Sequence, residues 1–168
     1  MLVDVDGRFD PNVIDWTSQV TKMAQLTSEE EEMASEHVDV ATMGWISGVP
    51  FYGRAAIYEG KEVVQLKVLS DRRDQGGGIA WLVKFAPPPG KLIKIVAIAR
   101  SDEHVFSLEG GRSTKSGRRA QNSGGYSLNP KGQPHSAMIA EESVSLVVYT
   151  GEPDEIKSLE IIPVTPAR

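Results

Sequence analysis

From residue 37 onward the chain alternates short apolar runs with polar breaks. The runs are "RAAIYEG", "EVVQLKVL", "IAWLVKFA", "LIKIVAIA", "HVFSLEG", "SVSLVVYTG" and "SLEIIPV". They are rich in Val, Ile, Tyr and Phe, which suit a pleated, half-buried surface. The breaks "DRRDQGGG", "APPPG", "NPKGQP" and "GEPDE" carry the turn formers Gly, Pro, Asn and Asp. No long amphipathic helix interrupts the series. The pattern predicts an all-β antiparallel sandwich or barrel.

Before residue 37 the period changes. Asp10 followed by Pro11 is a helix start, a capping side chain and then a residue pre-set for the first turn. Val13, Trp16, Val20 and Met23 follow at helical spacing and share one face. Thr27 with Glu30 reads as a capping box for a short acidic helix through about Glu36. The "EEEE" run reads as a solvated first turn favoured by the helix dipole. Residues 1–36 are therefore expected to form a helical N-terminal arm, and residues 37–168 the β-domain. The apolar stripe of the arm needs a partner, either the β-domain or a second subunit.

Composition narrows the function classes. At 168 residues the chain fits one domain able to bury a real core. No apolar run approaches the ~18–20 residues that span a bilayer, so no membrane partner is expected. The start, "MLVDVDGRFDP", has no basic region and does not read as a secretory signal. The chain has no cysteine, which excludes disulfides and thiolate ligands and fits a cytoplasmic protein. A net charge of −5 argues against nucleic acid as a partner.

Several stretches invite chemical readings. Asp102, Glu103 and His104 stand side by side at a polar corner between two apolar runs. "GGG" at Gly76–Gly78 is not a phosphate loop, because no Gly-Lys-Ser/Thr follows and the next element reads as strand. There is no G-x-S-x-G nucleophile elbow. Arg112, Lys115, Arg118 and Arg119 in "GRSTKSGRR" read as a solvated hairpin, with an anion contact as the alternative.

The stretches "APPPGKLIKIVAIARSDEHVFSLEGG" and "GGYSLNPKGQPHSAM" carry a family likeness. They resemble the two cupin motifs, G-x5-H-x-H-x3–4-E-x6-G and G-x5-P-x-G-x2-H-x3-N. Six residues separate Glu103 from Gly110, as in the tail of the first motif. Gly125, Pro130, Gly132 and His135 follow the second motif, one residue short at its start and without its trailing Asn. The resemblance covers roughly residues 40–153. The "GGYSLNPKGQPHS" portion is most similar to anti-sigma-factor and acetylacetone-dioxygenase-like cupins. The resemblance implies a double-stranded β-helix, a jelly-roll barrel, for residues 37–168. Such motifs speak to fold more than to function.

The departure from the motif matters more. The resemblance implies histidines at positions 97 and 99, where this chain has Ala97 and Ala99. Three His and one Glu would hold iron, manganese, nickel or zinc in a typical cupin. Two of those four ligands are missing here. Residues two apart on a strand share a face. If the family's pairing holds, Ala97, Ala99 and Glu103 look into the barrel, and His104 joins Phe106 and Leu108 on the opposite face. His135 is then implied to lie inward beside Glu103. His37 is expected at the surface.

With three histidines and no cysteine, a three-His site would need every imidazole in the chain, His104 included. The expected pocket therefore centres on Glu103 and His135, with Tyr126, Arg100 and Tyr149 as polar wall residues and Ala97 and Ala99 at the vacated ligand positions. Glu103 and His135 are the candidate catalytic pair, as a general acid–base with the Glu orienting the ring. They are also the candidate ligands of a weakly held divalent metal (Fe, Ni, Zn or Mn), the alternative being no cofactor. Three readings stay open. One is a barrel that binds a small organic molecule at a degenerate or metal-free site. Another is a metal-dependent enzyme performing dioxygenase-like cleavage. The third is a non-catalytic structural or regulatory dimer. A homodimer is expected from the apolar stripe and from the pairing habit of cupins.

Overall fold

A computed structural model describes residues 36–165 of the chain. The chain separates into two units, residues 1–38 and 39–168, and every described strand lies in the second. The expected helical arm, with its Val13–Met23 stripe and Thr27 capping box, lies outside the described residues.

Among the described residues the β-domain holds eleven strands. In chain order they are β1 (Ile46–Ser47), β2 (Ile57–Tyr58), β3 (Lys61–Glu62), β4 (Val64–Asp71), β5 (Ile79–Phe85), β6 (Lys91–Ile98), β7 (Glu103–Glu109), β8 (Tyr126–Asn129), β9 (Pro134–Ile139), β10 (Ser143–Tyr149) and β11 (Glu155–Pro163). One short helix, α1 (Val49–Tyr52), follows β1, with Pro50 in its first turn. All paired strands are antiparallel. Six form one sheet in the order β1-β4-β5-β10-β7-β8, three form a second in the order β11-β6-β9, and β2 with β3 makes a small hairpin. The expectation of an all-β jelly roll is met.

Alternation decides which side chains go inside. In β5, Ile79, Trp81, Val83 and Phe85 are buried while Ala80, Leu82 and Lys84 are not. In β6, Ile93, Ile95 and Ala97 face inward in the same way. These two faces, one from each sheet, meet in a single core with Val105, Ile139, Val147 and Leu159. The indole of Trp81 packs between Phe51 and Tyr149, at ring separations of 4.7 Å and 5.1 Å. Full burial of such side chains contributes roughly 1.5–3 kcal/mol each, and this core supplies most of the drive to fold.

The polar breaks are the turns. "DRRDQGGG" joins β4 to β5 through a 3-10 turn at Arg73–Gln75, and "APPPG" joins β5 to β6. "NPKGQP" joins β8 to β9, and "GEPDE" leads from β10 into β11. Alternation in "GGYSLN" and "PHSAMI" was not read as strand, yet these stretches form β8 and β9. "RAAIYEG" yields only the two-residue β2 after a 3-10 turn at Arg54–Ala56. Among the described residues no helix is long and apolar enough to cross a membrane.

Candidate functional site

β7 lies between β10 and β8, and its first residue is Glu103. Tyr149 of β10 and Asn129 of β8 are the Cα partners of Glu103 on either side. Both donate to its carboxylate, the Tyr149 hydroxyl to Oε1 at 3.0 Å and the Asn129 amide to Oε2. A buried carboxylate is thus held from both neighbouring strands. Asn129 lies within the second motif stretch, where nothing in its spacing marks it as a partner of Glu103.

The second sheet supplies the imidazole. His135, Ala137 and Ile139 form the inner face of β9 by alternation. His135 Nε2 lies 3.3 Å from Glu103 Oε2 and 2.9 Å from Asp154 Oδ2. Asp154 stands just before β11, two residues from Ile156, which is the Cα partner of Ala97. Ala97 in turn faces His135 across β6 and β9. Asp154 was read only as part of a turn, because the order β11-β6-β9 that carries it to His135 is not visible in the spacing of residues. Strand parity from Ile156 would have pointed it inward, had the pairing been known.

The electrostatics follow from this geometry. Hydrogen bonds to Asp154 and to Glu103 outweigh desolvation and push the His135 imidazole up to about 10. Burial alone would raise Glu103, but the hydrogen bonds from His135, Asn129 and Tyr149 prevail and hold its carboxyl below the usual value. At Asp154 burial, helped by the nearby Glu103 charge, prevails over the hydrogen bond from His135, and its carboxyl is raised. Burial also raises the phenols of Tyr149 and Tyr52, so both are neutral hydroxyls. Among the described residues, buried His135 Nδ1 and Asp154 Oδ1 make no hydrogen bond.

The cluster opens on a cavity between the two sheets. Its walls include Val83, Val105, Val147 and Ile95, the hydroxyls of Tyr52, Ser107, Ser143 and Ser145, and Arg112. The volume open to the centres of water-sized molecules is about 60 Å³. That is room for roughly four to six waters or a small organic molecule.

The other expected site residues fall elsewhere. Tyr126 does not line the cavity. It sits on the outer face of β8, where its hydroxyl lies 2.9 Å from His104 Nδ1 and its ring stacks on the imidazole. Alternation puts it there: its Cα partner Phe106 is an outward residue of β7. Arg100 is exposed, in a surface groove with Asp102, Lys131 and Glu152, because the chain has left β6 two residues earlier. Ala97 and Ala99 are buried, but their methyl groups are too short to reach the cavity wall. His37 is exposed. The solvated-hairpin reading of "GRSTKSGRR" is corrected at Arg112, which lines the cavity, while Arg119 pairs outward with Glu141 at 2.8 Å.

A divalent ion has a fitting donor set here. Glu103, His135 and Asp154 offer one imidazole nitrogen and two carboxylate oxygens, all within 4.8 Å of one another. The third donor comes from Asp154, outside both motif stretches.

No family model matches the sequence. No curated protein matches it either. Among solved structures, an RmlC-like cupin protein from Ralstonia eutropha JMP134 is similar with a TM-score of 0.51 and 16% identity, over 78% of this chain and 82% of that one. A protein of unknown function with a cupin-like fold, from the same organism, has a TM-score of 0.50 and 15% identity over 74% and 76% of the two chains. The chain has the cupin fold.

Proposed function

We propose that this protein binds a small organic molecule in its barrel cavity, with Glu103, His135 and Asp154 as the polar end of the site. The observation that carries this reading is a charged, buried cluster at the wall of a cavity, with His135 Nδ1 and Asp154 Oδ1 left without partners among the described residues. Buried polar atoms are ordinarily satisfied, so a pair of orphans beside an open space points to a ligand that completes them. The cluster is also suited to proton transfer. Its two carboxylates are pushed in opposite directions and both engage His135 Nε2, which leaves the Nδ1 proton of the imidazolium to be offered to a bound acceptor.

Divalent metal binding is the second reading, supported by the closeness of the three donors. The ion would add Lewis acidity, polarising a ligand oxygen. It would need His135 deprotonated, against two carboxylates that favour the imidazolium, so the reading is of a weak site. Elemental analysis of protein purified without chelator or His-tag decides between the two. Well under one equivalent of iron, nickel, zinc or manganese is expected, and a stoichiometric ion would favour the metal-dependent enzyme instead.

The homodimer remains part of the proposal. It is supported by the outer face of β7 and β8, where Phe106, Leu108, Tyr126 and Leu128 are 41–50% exposed. Light scattering at micromolar concentration tests it; a monomer refutes it.

A further inference from the structure

The inner faces of β7 and β10 form a ladder of three directly paired rungs. Tyr149 is opposite Glu103, Val147 opposite Val105, and Ser145 opposite Ser107. All six residues line the cavity. The ladder is acidic at one end, apolar in the middle and hydroxylic at the other. Ser107 stands four positions after Glu103, about 13 Å along an extended strand.

The cavity wall also carries a cation. β7 ends at Glu109, and Gly110, with a φ of 65°, turns the chain back. Gly111 then passes so close to the neighbouring backbone that a Cβ there would lie 1.8 Å from the Gln121 carbonyl oxygen. Arg112 follows. Its carbonyl accepts hydrogen bonds from the Ala120 and Gln121 amides, and the next residue, Ser113, donates its amide to the Met138 carbonyl. The backbone of Arg112 is therefore pinned, while its side chain lines the cavity. Among the described residues the guanidinium forms no ion pair and no hydrogen bond. The Tyr52 hydroxyl, also in the wall, has no hydrogen bond among them either. Ser107 and Ser143 are nearly fully buried and line the same cavity.

We infer that Arg112, with the Ser107, Ser143 and Ser145 hydroxyls in the same cavity wall, is the anchor for the carboxylate of a small monocarboxylate, held with that carboxylate away from the Glu103–His135–Asp154 cluster. The inference rests on the ligand-binding reading of the cavity and specifies its ligand class. A guanidinium offers a planar fork of donors that matches a carboxylate. The cluster holds two carboxyl groups against one imidazole, so it repels a second anionic group. This gives the ligand one direction in the cavity and disfavours dicarboxylates. The ligand group that points toward the cluster is therefore neutral, a hydroxyl or a carbonyl.

The test compares carboxylates with their neutral isosteres on the intact chain. Backbone amide NMR spectra are followed while acetate, lactate or pyruvate is added, and separately acetamide or lactamide. The expected result is displacement of the Ser107, Gly111, Arg112 and Ser145 amides by the carboxylates, with lactate at least about tenfold tighter than lactamide. Arg112→Gln should erase that tenfold difference, Arg112→Lys should keep part of it, and malate should bind more weakly than lactate. Lactamide binding as tightly as lactate, in the unsubstituted protein, overturns the anchor and leaves the cavity reading standing; this comparison holds even if Arg112→Gln does not fold. If no probe, charged or neutral, moves these amides at millimolar concentration, both the anchor and the cavity reading fall.

Discussion

His135 Nε2 lies 2.9 Å from Asp154 Oδ2, joining the strand β9 to the residue that precedes β11 across the intervening β6. The contact ties two strands that share no backbone hydrogen bond. With Glu103 on the opposite sheet, it makes one imidazole the link between both halves of the barrel. Its protonation is therefore a matter of stability as well as of chemistry.

The sign of that dependence follows from linkage. The His135 imidazole is raised from 6.5 to about 10 on folding. The folded state then holds a proton that the unfolded chain releases, and stability falls as pH rises between those values. The stabilisation is full below about pH 6.5 and gone above about pH 10. Denaturant melts across this window should lose on the order of 2 kcal/mol, discounted for the partial exposure of the ring. His135→Gln should flatten the curve over the same range. Parallel curves for the two proteins would show that the imidazole is not held charged.

Tyr149→Phe removes one donor from a buried carboxylate and adds no bulk. The Glu103 carboxyl should titrate higher, since one of the bonds that offset its burial is gone. The cost should be roughly 1–2 kcal/mol at neutral pH. Carbon-detected NMR titration of the Glu103 carboxyl checks the first effect and urea unfolding the second. An unchanged titration would mean that Asn129 and His135 suffice.

Gly111→Ala probes the turn that places Arg112. The added methyl would meet the Gln121 carbonyl oxygen at 1.8 Å, a backbone atom that cannot swing away. A loss of roughly 2–4 kcal/mol is expected from melting curves, larger than the ~1 kcal/mol of an ordinary loop glycine. Gly124→Ala is the control. It too has a positive φ, but nothing lies within 4 Å of its Cβ direction, so it should cost less.

Ala97→His tests the register around the cluster. Position 97 faces His135 directly across β6 and β9, so the new imidazole would share its face. The site is fully buried, and overpacking should cost roughly 1–3 kcal/mol without metal. Nickel or zinc should recover the melting temperature, by on the order of 3 kcal/mol at a hundredfold excess over the dissociation constant. Adding His135→Ala should abolish the recovery, and adding His104→Ala should not. Recovery that depends on His104 would place the outer face of β7 inside.

Much of the fold was legible because burial follows a local rule. Alternation in "IAWLVKF" and "LIKIVAI" forces one face of each strand out of water, and the Gly and Pro clusters force the turns. Strand parity likewise separates Glu103 from His104 on β7, and the structure keeps them on opposite faces. The same rule, misapplied by proximity to a motif, drew Tyr126 toward a pocket it does not line.

What the sequence by itself determined was which residues could be inside. Which inside residues meet was decided by strand order, and strand order comes from long-range pairing that no local spacing records. Asp154 reaches His135 only because β11 and β9 flank β6. Arg112 enters the cavity only because Gly110 and Gly111 let the chain turn back beneath β7. In sequence one looked like part of a turn and the other like a surface charge. The packing of two sheets brought both into the wall of one cavity.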